Sequence, residues 1–255
     1  MFLNVLNAEF TKLRTTKAFW GNAIVYAAMT VGIIVLVATI MRSTRGDGPG
    51  PTLVPHDLAQ VVNLAGGLVL AIMSILVVTS EYGQKLVSVT FQATPNRLVV
   101  ALAKLLLMIL VATVFTVVTL VIVIPLARMI VGSELGPELL LSNSEAQKYL
   151  WKTPVYATMF IILAQGLAWI VRSAVFSIMI ILPWFMVVEV VVVPMIPKFG
   201  EKVLPYLPFK NLSAFYYAEA IEEAPWGYWG SLWYFAAIAL VVYVAGVALL
   251  VRRDA

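Results

Sequence analysis

Six long apolar runs are the feature that most constrains how this 255-residue chain can fold. A helix needs about 20 predominantly apolar residues to cross the hydrocarbon core of a bilayer. The runs that meet this requirement are Trp20–Met41, Leu58–Ser80, Leu105–Ala127, Val155–Val171, Ala174–Ile196 and Tyr228–Val251. They predict an all-α polytopic membrane protein with six transmembrane helices. Because two residues separate the fourth run from the fifth, we expect those two spans to form a tight antiparallel hairpin.

The composition supports this fold class and excludes several chemistries. Hydrophobic residues make up 62% of the chain and charged residues 12%, against about 45–50% and about 25% in soluble domains. The chain has no cysteine and a single histidine, His56, so a disulfide, a thiolate metal site and a His-rich zinc site are excluded. The next residue, Asp57, is expected to cap a helix.

The sequence also lacks the motifs of a nucleotide-binding or hydrolytic enzyme. It contains no Walker A phosphate loop, no His-Glu-x-x-His and no Gly-x-Ser-x-Gly. We therefore expect that the chain is not an enzyme by itself and that it binds no cofactor. Residues 1–255 are predicted to form a single transmembrane domain without a nucleotide-binding domain.

Two stretches outside the spans are predicted to form further helices. In residues 2–17, apolar side chains recur at helical spacing, which indicates an N-terminal interfacial helix rather than an ordinary start to the first span. Residues 197–227 contain four prolines with six aromatic residues between them. Aromatic side chains favour the headgroup level of a membrane, so we expect one or two short helices in the outer interface before span six.

The distribution of basic residues predicts the orientation. With six spans, both termini lie on the same side, and that side carries nine Lys and Arg residues against eight on the other. The nine lie in fewer residues and closer to the spans. The positive-inside rule therefore favours a multi-pass protein of the cell membrane with both termini cytoplasmic.

A few polar and small residues within the spans are candidates for a pathway or a subunit interface. Glu189 is the only acid inside a predicted span; a charge at the bilayer centre costs about 2.5–3.5 kcal/mol, so it should face protein or water. It is either a substrate or coupling residue, or a protonated or hydrogen-bonded packing group at a subunit contact. Asn63, Gly67 and Ala71 are four residues apart and form a small-residue ridge that lets another helix approach, or face a substrate.

The segment after the second span is the most informative part of the sequence. Residues 79–97 read TSEYGQKLVSVTFQATPNR, in which Leu86, Val89 and Phe91 give one apolar side and Pro95 ends the pattern. This pattern predicts a short helix lying under the membrane, with polar groups available to a cytoplasmic partner.

In this segment the chain resembles the permease subunits of the bacterial type-2 ABC exporter family. Ser80-Glu81-Tyr82 after the second span and Thr94-Pro95-Asn96-Arg97 at the close match the family at its usual spacing. Further matches are the N-terminal EFTKLRTT of residues 9–16, Arg172-Ser173-Ala174 between spans four and five, and LPYLPF of residues 204–209 before span six. One departure is Lys85-Leu86, where many relatives carry Gly-Thr.

The resemblance implies a mechanism with a separate energy-supplying subunit. The helix between spans two and three would be a cytoplasmic coupling helix that docks into an ATP-binding cassette ATPase subunit, which binds ATP and Mg. The residues implied in this coupling are Glu81, Tyr82, Lys85, Thr90, Pro95 and Arg97, with Glu81 and Arg97 as the main polar contacts. A second permease chain, identical or paralogous, would complete the pathway, lined mainly by spans two and five. Membrane lipids are further partners, and no nucleic-acid partner is expected.

The primary prediction is thus the transmembrane permease subunit of an ATP-driven exporter. Two alternatives remain open at this point. One is a membrane sensor or resistance module that pairs with an ATPase but moves no substrate. The other is an ion-driven secondary transporter, which predicts a paired intramembrane carboxylate or cation site, for which Glu189 is the one candidate.

Overall fold

The computed structural model describes residues 2–44, 51–83 and 96–252, and all regular secondary structure among them is helical. Six helices in this part of the chain are long and apolar enough to cross a membrane. The protein is therefore an all-α polytopic membrane protein, as predicted. In chain order, the α-helices are α1 (Phe2–Thr15), α2 (Lys17–Ser43), α3 (Pro55–Val61), α4 (Gly67–Gly83), α5 (Arg97–Leu135), α6 (Ser144–Val171), α7 (Ala174–Pro183), α8 (Phe199–Val203), α9 (Pro208–Tyr217) and α10 (Tyr228–Arg252).

Two of the six spans contain π-helical stretches. A π-helical turn over Val62–Gly66 joins α3 to α4, and a longer one over Trp184–Val192 continues α7 directly after Pro183. A π-helix closes its hydrogen bonds one residue further along the chain than an α-helix. The side chains beyond such a stretch therefore point in different directions from those that a regular α-helical count predicts.

The fourth span is longer than its apolar run indicates. The apolar run predicts the span to begin at Val155, and the capping-box pattern of residues 144–147 predicts a short separate helix before it. In the structure a single helix, α6, begins at Ser144 and continues through Pro154. The Oδ1 atom of Asn143 accepts a hydrogen bond of 2.8 Å from the backbone N–H of Glu145, which caps the early helix start. The hydropathy pattern missed this first part because it carries charged residues.

The shorter elements agree with the sequence. Helix α1 occupies the predicted N-terminal segment, and α8 and α9 lie in the predicted stretch before span six. Helices α6 and α7 are separated by two residues, of which Arg172 has a left-handed φ of 58°. This tight connection confirms the predicted hairpin. The coupling helix predicted between spans two and three lies outside the described residues.

By their contacts, the residues divide into two compact units. The first comprises Met1–Thr11, Ala71–Met108 and Met159–Ala255. Within it, α6 and α10 approach closely: a Cβ atom added at Gly166 would lie 2.6 Å from the backbone nitrogen of Tyr243, and one at Gly246 would lie 2.5 Å from the carbonyl oxygen of Gly166. Two glycines therefore allow a backbone-to-backbone contact.

The second unit comprises Lys12–Leu70 and Ile109–Thr158. Its helix α2 packs against the π-helical turn at Gly66, where an added Cβ atom would lie 2.7 Å from the ring of Tyr26. Asp57 accepts a hydrogen bond of 3.1 Å from the backbone N–H of Val54 at the start of α3. This bond confirms the predicted role of Asp57 as a helix cap.

Candidate functional site

A buried ion triad lies in the first unit, where α1, α4 and α5 meet. The ammonium group of Lys104 donates hydrogen bonds to Glu9 Oε2 at 2.5 Å and to Glu81 Oε1 at 3.0 Å, and a longer one to the carbonyl oxygen of Val77 at 3.3 Å. Lys104, Glu9 and Glu81 are 2%, 4% and 9% exposed. An ammonium group has three donors, so every hydrogen of Lys104 has an acceptor.

Helical spacing explains why these charged groups meet. Val5 packs against Val100 and Ala103 in a small apolar cluster between α1 and α5. Glu9 follows Val5 by four residues and Lys104 follows Val100 by four, so each lies on the same face of its helix as the packed valine. The apolar contact therefore brings the carboxylate and the ammonium group together, and burial then makes the pair strongly interdependent.

Two arginines lie at the C-terminal end of α10. Arg97 donates a hydrogen bond of 2.8 Å from Nη1 to the carbonyl oxygen of Leu250, and Arg172 donates a long one of 3.5 Å from Nη2 to that of Leu249. The last carbonyl groups of a helix have no partner within it, and positive charge is favourable there. Arg97 thus attaches the start of α5 to the last span, and Arg172 attaches the connection between α6 and α7 to it.

Tyr82 lies beside one of these arginines, Arg172. The guanidinium group of Arg172 is 5.2 Å from the centroid of the Tyr82 ring, which is within cation–π distance. Trp169 meets the same ring edge-on, with centroids 6.4 Å apart. Tyr82 is therefore held by α6 and by the connection that follows α6.

Three of the six predicted coupling residues lie in the described part of the chain. Glu81, Tyr82 and Arg97 flank the segment and contact the chain's own helices. Lys85, Thr90 and Pro95 lie outside the described residues. The contacts of Glu81 and Arg97 with an ATPase subunit stay predictions.

Glu189 lies in the π-helical stretch after α7 and binds the start of α9. Its Oε1 atom accepts a hydrogen bond of 2.7 Å from Trp184 Nε1, and its Oε2 atom accepts one of 3.1 Å from the backbone N–H of Lys210. Lys210 is the third residue of α9, so the carboxylate fills the role of an N-terminal cap from another element. This geometry is that of a hydrogen-bonded packing group; roles at a subunit contact or in a pathway stay predictions.

The predicted small-residue ridge is buried. Asn63, Gly67 and Ala71 all lie among the buried residues. Asn63 belongs to the π-helical turn, so the three do not follow the regular four-residue spacing on which the ridge was predicted. The close contact with α2 is made by Gly66. Whether the three residues face a substrate or a second subunit stays a prediction.

A cleft opens beside α8 and α9, with a volume of about 470 Å³. Its walls carry four glutamates and one lysine, namely Glu201, Glu219, Glu222, Glu223 and Lys210. Within the described part of the chain, no group of three His, Cys, Asp or Glu residues could hold a metal ion.

Glu9 and Lys104 are the site residues that sequence reasoning did not single out. One signal was available: both stand four residues after an apolar residue that a helix would bury, which is an unusual place for a charge unless it is paired.

Comparison of the sequence with protein-family models finds no match, and comparison with curated proteins finds none either.

Proposed function

We propose that this chain is the transmembrane permease subunit of an ATP-binding cassette exporter. It would move a substrate across the cell membrane, with both termini cytoplasmic, using ATP hydrolysed by a separate subunit. Six helices long enough to span a bilayer support the membrane part of the proposal. The ordered set of motifs along the chain supports the family and hence the transport function.

One observation supports the proposal most strongly: the residues at both ends of the predicted coupling helix are bonded to helices of the membrane domain. On one side, Glu81 is bonded to Lys104 of α5; on the other, Arg97 is bonded to the end of α10 at Leu250. A segment can pass a displacement from an ATPase to the spans only if its ends are fixed to helices of the membrane domain. Two charge-assisted bonds at buried or partly buried positions meet this requirement.

A charge-reversal pair tests the assignment. The protein is purified from its native membrane in mild detergent, and the co-purifying ATPase subunit is quantified. We expect Lys85→Glu, in the predicted docking helix, to reduce the bound ATPase at least several-fold. The matched control is Lys202→Glu, an exposed lysine of α8, which should retain the wild-type amount. Absence of an ATPase subunit from the wild-type preparation, or equal retention by both variants, would overturn the proposal.

A further inference from the structure

We propose that Lys104 is a positioning residue that makes α1 move together with the end of α4. Its two ion pairs join Glu9 of α1 and Glu81 of α4 through one ammonium group on α5. The inference rests on the proposed function for its consequence: a displacement that an ATPase imposes near Glu81 also reaches the N-terminal helix.

The first step is the sharing of the ammonium group. Lys104 has its three hydrogens on Glu9, Glu81 and a backbone oxygen, at 2.5, 3.0 and 3.3 Å. Water has little access, because the three charged side chains are each 11% exposed or less. A displaced Glu81 carboxylate therefore carries the ammonium group with it, since no solvent is at hand to replace the bond.

Two contacts of different kinds hold α1 against α5, one apolar and one a charge-assisted hydrogen bond. Val5 and Leu6 pack against α5 through apolar groups, and apolar attraction has no preferred direction. The bond from Lys104 to Glu9 is directional, because a charge-assisted hydrogen bond requires alignment of donor and acceptor. Neutralising Glu9 would thus leave α1 packed while weakening the link that fixes its position along α5.

Spin labels can follow the two ends of this link separately. The chain has no cysteine, so a single introduced cysteine is labelled uniquely. Ala8→Cys on α1 and Gly83→Cys on α4 are both at exposed positions. Each labelled permease is purified with its ATPase subunit, and spectra are compared without nucleotide and with ATP and vanadate.

We expect both labels to respond to nucleotide when the triad is intact. In Glu9→Gln, the response at position 83 should remain and the response at position 8 should fall at least threefold. The control is Glu138→Gln, the same change at an exposed glutamate, which should leave both responses at their original size. An unchanged response at position 8 in Glu9→Gln, or none with the intact triad while position 83 responds, would overturn the inference.

A variant with an uncharged triad distinguishes a folding defect from loss of the nucleotide response at position 8. Lys104→Met alone removes the ammonium group from between two buried carboxylates and is expected to impair folding. Combining it with Glu9→Gln and Glu81→Gln removes the buried charge while retaining similar shapes. This triple variant should elute like the parent protein yet give a response at position 8 reduced at least threefold. A full response from the triple variant would contradict the role of Lys104.

The same labels distinguish failure of this inference from failure of the proposed function. If no ATPase subunit accompanies the wild-type protein, the proposed function fails. The link is then tested in the permease alone: Glu9→Gln should increase the mobility of the label at position 8, and Glu138→Gln should not. Equal mobility in the two variants would overturn the link itself.

Discussion

Replacing Gly166 by alanine is expected to weaken the contact between α6 and α10. The added Cβ atom would lie 2.6 Å from the backbone nitrogen of Tyr243 and 2.7 Å from its Cα atom. Ordinary contacts of a Cβ atom begin at about 3.4 Å, so the helices would have to separate by about 0.8 Å (3.4 − 2.6). Both atoms belong to the helix backbone, and no side-chain rotation relieves the overlap.

The size of the effect follows from a matched substitution. Gly32 lies in α2 with nothing within 4 Å of an added Cβ atom. Alanine is preferred over glycine in a helix by about 1 kcal/mol, and this gain applies at both positions. The difference between Gly166→Ala and Gly32→Ala is therefore the cost of overpacking, about 1–3 kcal/mol. For a chain of this size, the difference corresponds to about 2–12 °C in Tm.

Thermal unfolding of the two variants in the same detergent measures this difference. The fraction of protein that still elutes as a folded species after heating is determined at a series of temperatures. We expect Gly32→Ala to have a Tm equal to or above that of the wild type. Gly166→Ala should have a lower Tm than Gly32→Ala. Equal Tm values, or a higher value for Gly166→Ala, would refute the close backbone contact.

Three further predictions concern the charged groups. Glu189→Ala should lower the free energy of unfolding by about 1–3 kcal/mol, because Trp184 Nε1 and the backbone N–H of Lys210 lose their acceptor, and hydrogen exchange at the Lys210 amide should become faster. Arg97→Ala should lower the free energy of unfolding by about 0.3–1 kcal/mol and make hydrogen exchange faster in the last turn of α10. The control Arg14→Ala, at an exposed position, should leave hydrogen exchange in that turn unchanged. Lys104→Met should cost about 3–5 kcal/mol, most of which is regained when both carboxylates are also neutralised; equal stability of the single and triple variants would contradict the buried triad.

The six spans could be predicted from the sequence because the bilayer imposes a local requirement. A run of about 20 apolar residues is visible without knowledge of any tertiary contact. The ends were less accurate: α6 begins at Ser144, where Glu145 and two lysines interrupt the apolar pattern. The π-helical stretches were not predicted, since their residues are as apolar as those of the neighbouring α-helices.

The partners of the candidate residues were beyond the sequence. Glu81 was interpreted as a polar contact for a partner, yet it is bonded to Lys104, 23 residues away, which in turn is bonded to Glu9, 95 residues away. Such distant pairs depend on how the helices pack, which periodicity does not specify. For Glu189, the sequence indicated that the carboxylate should avoid lipid. Its bond to the Lys210 amide could not be predicted, because it depends on how α9 packs against the π-helical stretch.

The composition and mass of the purified assembly test the central claim most directly. The protein is extracted from its native membrane in mild detergent, and the intact complex is weighed by native mass spectrometry. The proposed function predicts two permease chains, of which this one contributes 28.0 kDa per copy, together with two ATPase subunits that carry a Walker A loop. A stable assembly that contains this chain without any ATPase, under several detergents, would contradict it.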